Sequence, residues 1–199
     1  MQISYSPPAK NLLQYIFTRI QKGAKMDVRE DPRNVDDRYK YWTEEAIKAD
    51  LRTHCNNFSV LITNKFHDFN IGSVIRSSNA FCAKEVIVYG SKQYDKRGTV
   101  GAHLYTNMRH VRFADELDFT EYVVVGVDNF PWAQPIETFT WPDKHVLMVF
   151  GQEGTGITEE MAELCDHMVY IKQYGSVRSL NVGCAASITM FDYCQKMVK

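Results

Sequence analysis

The segment Val177-Arg178-Ser179-Leu180-Asn181-Val182 lies near the C-terminus and opens a long apolar stretch. Its apolar residues predict a helix from residue 182 to about 193, with Ser179 and Asn181 at its entrance. Ser and Asn at such positions are typical helix caps, because their side-chain oxygens accept hydrogen bonds from free backbone N–H groups. Gly175 precedes them and predicts a loop. Two other polar segments lie upstream, and the three together indicate more than capping.

Upstream of this helix, short apolar runs alternate with helical patterns. Most runs are continuously apolar, which is typical of strands buried on both faces of a parallel sheet. The sequence therefore predicts an α/β domain, a parallel sheet flanked by helices, over residues 57–199, after an N-terminal helical extension over residues 1–56. The predicted strands are 58–63, 85–89, 109–113, 122–127, 145–150 and 168–172. The predicted helices are 8–23, 43–54, 71–81, 158–164 and the C-terminal helix.

The composition is that of an ordinary globular protein, since 45% of the 199 residues are hydrophobic and 24% are charged. This length is enough for one domain with a sizeable core and an extension. No apolar run approaches the roughly 20 residues needed to span a bilayer. The N-terminus has no apolar signal core, so we expect a cytoplasmic protein without a membrane partner.

The net charge and the spacing of the cysteines limit the possible partners and metal sites. The net charge of −1 does not by itself indicate nucleic-acid binding, so any RNA contact must come from a local patch. The candidate patch is N-terminal, and a solvated helix face is the favoured alternative; its residues are Lys10, Arg19, Lys22, Lys25, Arg29 and Arg33. The five cysteines are scattered without a CxxC pair, which argues against a zinc site and suggests reduced, buried thiols.

The segment Gly151-Gln152-Glu153-Gly154-Thr155-Gly156 follows a predicted strand. In a parallel sheet, ligands bind at the loops that leave the carboxyl ends of strands. The glycines allow tight turns and a close approach of a ligand to the backbone. The spacing fits neither a Rossmann GxGxxG nor a P-loop, so a nucleotide-binding dehydrogenase is a poor match. A purely structural turn is the alternative, although Glu153 among the glycines has no obvious packing purpose.

The segment Asn70-Ile71-Gly72, followed by Arg76, begins another predicted helix. Asn70 is a candidate cap of that helix. Gly72 and Arg76 are four residues apart and share a helix face, so the missing side chain of Gly72 is expected to leave space beside Arg76. Arg76 could then bind a polyanion, and an internal salt bridge is an equally good explanation.

The three segments, in this order, resemble the three motifs of the SpoU/TrmH family of RNA ribose 2′-O-methyltransferases, in the SPOUT superfamily. The resemblance covers about residues 58–195, and the third motif is the most specific. Residues 173–179 look closest to the tRNA D-loop guanosine branch, so tRNA is slightly favoured over rRNA. The matching residues are Asn70, Gly72, Arg76, Ala80 and Phe81; Gly151, Glu153 and Gly156; and Gly175, Ser179, Leu180, Asn181 and Val182.

This resemblance implies a C-terminal trefoil knot, an obligate homodimer with each active site near the interface, and S-adenosylmethionine as the cofactor. No metal is expected, because the cysteines lack the spacing of a zinc site. By position, the cofactor is expected to contact Gly151, Ile171 and Leu180 largely through backbone, with Val127 as a fourth contact.

The resemblance also implies a catalytic set of Arg76, Asn70, Glu153, Ser179 and Asn181. Arg76 is a poor candidate for a general base, because a guanidinium has a pKa above about 12 and stays protonated. Our hypothesis is that Arg76 binds an RNA phosphate and stabilises the developing 2′-oxyanion. Ser179 and Asn181 would orient Arg76 or the ribose. Glu153 would position its loop or pair with Arg76, and Asn70 would hold Arg76 or the target nucleotide.

Three departures from the family pattern keep alternatives open. Cys82 and Gly183 stand where glycine and serine are common, and Lys172-Gln173 replaces Pro-Met. A non-catalytic RNA-binding family member is the first alternative. A SPOUT enzyme that methylates a base nitrogen is the second, although Arg76 and the Ser-Leu-Asn motif favour ribose.

Overall fold

The computed structural model describes residues 31–65 and 69–198. The chain divides into two compact units, residues 1–54 and 55–199. The helix predicted over 8–23, and the basic residues before Asp31, lie outside the described residues. The helical extension over 1–56 therefore stays a prediction.

In the described part of the first unit, a 3-10 turn at Asp37–Tyr39 precedes helix α1, Glu44–Thr53. The Thr43 hydroxyl caps α1 by accepting a hydrogen bond from the Ala46 backbone N–H at 3.2 Å. Helix α1 lies within the helix predicted over 43–54.

Arg33 is not a free cation of the predicted basic patch. Its guanidinium forms an ion pair with Asp31 at 2.7 Å and donates to the Trp42 carbonyl at 2.8 Å. The hydrogen bond from Arg33 holds the pKa of the Asp31 carboxyl well below its usual range. Because its guanidinium donors are used internally, Arg33 has a structural role.

Within the described residues of the second unit, seven strands form one sheet in which every neighbouring pair is parallel. The order across the sheet is β3-β2-β1-β6-β4-β7-β5. The predicted parallel α/β architecture is confirmed. The strands are β1 Phe58–Asn64, β2 Val86–Gly90, β3 Met108–Val111, β4 Val123–Val127, β5 Gln134–Pro135, β6 Val146–Phe150 and β7 His167–Tyr170.

Three helices accompany this sheet: α2 Asn70–Ala80, α3 Glu159–Ala162 and α4 Val182–Met197. Short 3-10 turns lie at Lys96–Thr99, Ala102–Leu104, Ala114–Glu116 and Ile136–Thr138. Among the residues that the structure describes, no helix has the length and apolarity to cross a membrane.

Both faces of the sheet are covered, because side chains alternate between faces along each strand. In β1, Val60 and Ile62 belong to the core beneath α2 and α4, and Leu61 belongs to the opposite core beneath α3. Val60, Leu61 and Ile62 are all fully buried. Burial on both faces explains why the strands are continuous apolar runs in the sequence.

The close packing of α2 corrects one expectation. A Cβ on Gly72 would lie 2.9 Å from the Gly98 Cα and 2.9 Å from the Asp95 carbonyl oxygen. The missing side chain therefore admits the backbone of a neighbouring turn and leaves no space for Arg76. The departure at Gly183 has a similar cause, since a Cβ there would lie 3.0 Å from the Ser73 Cβ. Helices α2 and α4 also meet at Ser77 and Ser187, whose hydroxyl oxygens are 2.8 Å apart.

Other differences are local. Helix α3 is four residues long, because the chain turns at Glu163 and Leu164 before it enters β7. Strand β5 was missed, since two residues with a proline carry no alternating pattern. All five thiols are free, but Cys184 is exposed and the other four are only partly buried, so the prediction of buried thiols was wrong. Burial, together with the charge of Asp166, raises the pKa of Cys165 to about 12.

The order β6-β4-β7 places three strand exits side by side at the carboxyl edge of the sheet. Val127 of β4 is in register with Phe150 of β6 and with Val169 of β7. The loops that follow these strands therefore start at the same level. The trefoil threading of the chain through these loops stays a prediction from the resemblance.

One half-buried histidine, His145, lies near the opposite edge of the sheet. The His145 Nε2 is 3.0 Å from the hydroxyl oxygen of the fully buried Ser59, and its ring centroid is 4.7 Å from that of Tyr122. Burial, with a smaller effect of the Lys84 charge, lowers the pKa of His145 to about 4.

We predict that His145 makes the protein less stable as pH falls from about 6.5 to about 4. In this window the unfolded chain binds a proton that the folded chain rejects, so protonation favours unfolding. Urea unfolding between pH 7.5 and pH 4.5 measures the effect. His145→Gln should show a shallower loss of unfolding free energy than the wild type, and the matched change at exposed His54 should not. Parallel profiles for His145→Gln and the wild type would contradict the assignment.

Candidate functional site

A cavity of about 540 Å³ opens at the carboxyl edge of the sheet. Its walls come from the three segments that follow β4, β6 and β7, with a contribution from the start of α4. The lining residues are Val127, Asp128, Asn129, residues 151–156, Tyr170, Ile171, Gln173, residues 178–182 and Ala185. The four residues predicted to contact a cofactor, Val127, Gly151, Ile171 and Leu180, all line it.

The segment 151–156 is a tight turn that only glycine permits at two points. Gln152 and Gly156 exchange backbone hydrogen bonds of 3.2 and 2.9 Å. A Cβ on Gly151 would lie 1.9 Å from the Gly156 carbonyl carbon, which no packing adjustment could relieve. Gly156 has a φ of 68°, in the left-handed region that favours glycine. The glycines therefore bring the two ends of this turn together beside the cavity.

Asp128 is a site residue that our sequence interpretation missed. Its carboxylate accepts hydrogen bonds from the backbone N–H groups of Ile157, at 2.8 Å, and Asn129, at 2.7 Å. It thereby joins the end of β4 to the end of the glycine turn. The available signal was its position directly after a predicted strand, where parallel sheets place ligand-binding loops.

Asn129 extends this connection to the third wall. Its side-chain amide donates to the Arg178 carbonyl at 2.9 Å. The loop that precedes α4 is therefore tied to the loop that follows β4. No contact of this kind can be inferred from sequence spacing, because the two residues are 49 positions apart.

The side-chain amide of Asn181 makes two separate sets of hydrogen bonds. Its oxygen caps α4 by accepting from the backbone N–H groups of Gly183 and Cys184, at 3.0 and 3.2 Å. Its nitrogen donates to the Asn70 oxygen at 2.7 Å and lies 3.4 Å from the Glu153 carboxylate. Since the cap fixes the oxygen, the nitrogen is directed at the other two motifs.

Asn70, Glu153 and Asn181 therefore come together from the three sequence motifs. The Asn70 amide nitrogen donates to Glu153, so the carboxylate faces two amide donors. Asn70 was a candidate cap of α2 in the sequence, but it does not cap this helix. It is the first residue of the helix, and the capping position is Phe69, which makes no side-chain capping bond.

Arg76 and Ser179 are not drawn into this cluster. Ser179 is exposed and lines the cavity. Arg76 is exposed on α2, and no residue within 31–65 or 69–198 forms an ion pair or hydrogen bond with it. Among the described residues there is thus no internal salt bridge to Arg76 and no pairing between Arg76 and Glu153. Over the same described ranges, no cluster of three or more His, Cys, Asp or Glu side chains could hold a metal ion.

A family model, the SpoU rRNA Methylase family, matches residues 57–191, which is more than half of the chain. The chain belongs to the SpoU rRNA methylase family. The match covers all seven strands and the three motifs, and it confirms the family resemblance seen in the sequence.

Individual SpoU relatives agree with this assignment. A protein of Staphylococcus saprophyticus, assigned to the TrmH family of tRNA/rRNA methyltransferases, is 25% identical over 79% of this chain and 67% of its own length. The SpoU methyltransferase AviRb from Streptomyces viridochromogenes, solved in complex with AdoMet, is 27% identical with a TM-score of 0.65. That alignment covers 75% of this chain and 62% of AviRb, so the chain spans less than two thirds of that relative.

A third SpoU comparison concerns the fold alone. The TrmH/SpoU tRNA modifying enzyme from A. aeolicus aligns with a TM-score of 0.66 at 20% identity, covering 77% of this chain and 81% of that one. The shared feature is the fold.

We predict that Gly151→Ala disrupts the SpoU site and that Gly175→Ala, the matched control, does not. The added methyl group at residue 151 would overlap the Gly156 backbone, whereas nothing lies within 4 Å of a Cβ at residue 175. Urea unfolding should show a loss of at least about 1–3 kcal/mol for Gly151→Ala, the range for overpacked sites. Equal stability of the two variants would show that the turn is not as tight as described.

Proposed function

We propose that the protein transfers the methyl group of S-adenosylmethionine to a ribose 2′-hydroxyl of RNA, with tRNA favoured over rRNA. The observation that carries this proposal is the meeting of Asn70, Glu153 and Asn181 beside a cavity at the carboxyl edge of the sheet. Each of these residues comes from a different family motif.

The cavity fits S-adenosylmethionine in size and chemistry. Its volume lies within the range of about 300–1,000 Å³ for small-molecule sites. Val127, Ile171 and Leu180 offer apolar surface for a purine ring, and Gly151 contributes backbone to the wall. Asp128 and Glu153 place carboxylates on the wall, where a cationic ligand is favoured. When bound, the cofactor supplies an activated methyl group on its sulfonium.

The residues of the chain then have to align and stabilise the attacking hydroxyl. Alignment of two reactants is worth up to roughly 7–11 kcal/mol of barrier in favourable cases. Asn70 and Asn181 present amides fixed by Glu153, which suits them to orient the ribose. Ser179 lies outside this cluster but is exposed at the cavity wall, where it is available to contact the ribose.

Arg76 supplies fixed positive charge for an RNA phosphate and for the developing oxyanion. It lies six residues after Asn70, roughly 9 Å further along the helix axis. This offset, and its exposure, suit an Arg76 that acts on RNA from outside the cavity or in the site of a second copy. Both roles leave cofactor binding independent of Arg76.

A homodimer would bring Arg76 to such a site. Helix α4 exposes apolar side chains at Ile188, 40% exposed, and Phe191, 53% exposed. Cys184 completes this stripe on one helix face. The stripe borders α2, which carries Arg76, and it starts three residues after Asn181. A second copy that covers the stripe would therefore lie beside the motif cluster.

The loop between β7 and α4 has the chemistry of a single-stranded RNA contact. Tyr174 is 85% exposed, and the Lys172 Nζ lies 5.3 Å from its ring centroid. Arg178 adds a second exposed cation at the cavity. Exposed aromatic rings beside cations stack and hold unpaired bases. We therefore place the target nucleotide against this loop.

The experiment that tests the reaction supplies labelled S-adenosylmethionine with unmodified tRNA or rRNA transcripts and identifies the methylated nucleoside. A 2′-O-methylnucleoside supports the proposal, and alkali resistance of its phosphodiester distinguishes it from a base methyl. A base-methylated product would overturn the ribose assignment. Cofactor binding without transfer to either pool would point to a missing partner or substrate, and the absence of cofactor binding would favour a non-catalytic RNA-binding protein.

We predict that Arg76→Ala lowers the rate of methyl transfer by at least about 100-fold, while the affinity for the cofactor changes less than about twofold. Arg76→Lys should restore part of the activity, since it keeps the charge but loses the planar donors. Calorimetry with S-adenosylhomocysteine gives the binding comparison. Normal turnover of Arg76→Ala would remove Arg76 from the mechanism.

We predict that Phe191→Glu converts a dimer to a monomer and abolishes transfer. Leu164→Glu, at a residue 51% exposed but away from α4, is the control and should remain dimeric. Light scattering after size-exclusion chromatography measures both masses. A wild-type monomer that is fully active would refute the dimeric site.

A further inference from the structure

Gln173 carries an unsatisfied acceptor in the wall of the cavity. Its side-chain oxygen, Oε1, is buried and has no hydrogen-bond partner, and no other buried side-chain nitrogen or oxygen atom in the described residues is left in this state. A buried acceptor without a donor costs free energy that a correctly placed donor would recover. Gln173 also lines the cavity, so a bound ligand is a natural source of that donor.

The amide nitrogen of Gln173 fixes the orientation of the whole side-chain amide. The Gln173 nitrogen, Nε2, lies 3.4 Å from the Arg178 carbonyl, to which it donates. Rotating the amide by half a turn would set two oxygens against each other. The same carbonyl accepts a shorter hydrogen bond from Asn129. The amide is therefore held with its oxygen pointing away from Arg178.

The chemistry of the site selects the donor. S-adenosylmethionine offers an adenine amino group, two ribose hydroxyls and a charged ammonium. The ammonium is best matched by the carboxylates of Asp128 or Glu153. Gln173 is a neutral acceptor two residues from apolar Ile171, in the wall that suits the purine ring. Its oxygen therefore matches a neutral donor, and its place in the purine wall favours the N–H of the adenine amino group over the ribose hydroxyls.

We propose that the side-chain oxygen of Gln173 accepts a hydrogen bond from the exocyclic amino group of the bound adenine. This makes Gln173 a specificity residue that distinguishes adenine from purines without a 6-amino donor. It stands at a position where methionine is common in the family, and a thioether is only a weak acceptor. The inference rests on the proposed cofactor.

Calorimetry of the full chain with two ligands tests this assignment. One ligand is S-adenosylhomocysteine, and the other is its 6-deamino analogue, which has hydrogen in place of the amino group. The wild type should bind S-adenosylhomocysteine roughly tenfold more tightly. Gln173→Met should reduce this preference to less than about twofold. Gln93→Met, the same change at an exposed residue outside the cavity, should keep the wild-type preference.

The possible outcomes separate the two proposals. Equal binding of both ligands by the wild type would overturn the role of Gln173 while leaving the cofactor intact, and this comparison needs no variant. A full preference retained by Gln173→Met would assign the amino group to another acceptor and also overturn the inference. Failure of the wild type to bind S-adenosylhomocysteine would overturn the proposed cofactor, and the inference with it.

Discussion

The side-chain amide of Asn181 is the constraint on which the site depends. Its oxygen accepts two backbone hydrogen bonds at the start of α4, and its nitrogen faces Asn70 and Glu153. The two functions reinforce each other, because the capped helix fixes the direction of the donor. The first residue of α2, the glycine turn and the start of α4 are thereby held at one point of the sheet edge.

The parallel sheet brings the loops of the site to one edge, and hydrogen bonds between these loops fix their relative positions. Because β6, β4 and β7 are neighbours in register, their exits lie side by side. Asp128 joins the end of β4 to the glycine turn, and Asn129 joins the end of β4 to the loop before α4. A cavity with walls connected in this way keeps its shape before a ligand arrives, which reduces the ordering cost of binding.

The sequence predicted the sheet well because burial on both faces leaves continuous apolar runs, as in β1 and β6. It could not predict β5, whose two residues pair at the edge without any pattern of their own. The motif residues Asn70, Glu153 and Asn181 were found, but their mutual contacts were not, because amide and carboxylate partners far apart in sequence leave no periodic signal. Gly72 shows the same limit, since a glycine gives no indication of which neighbour occupies its vacant side.

A crystal structure with S-adenosylhomocysteine bound would test the central claim most directly. The account predicts that the ligand occupies the cavity between the segments after β4, β6 and β7. Its purine should lie against Ile171 and Leu180, with backbone contact to Gly151. Binding at any other surface, or a cavity that stays empty at saturating ligand, would contradict the claim that these three segments form the cofactor site.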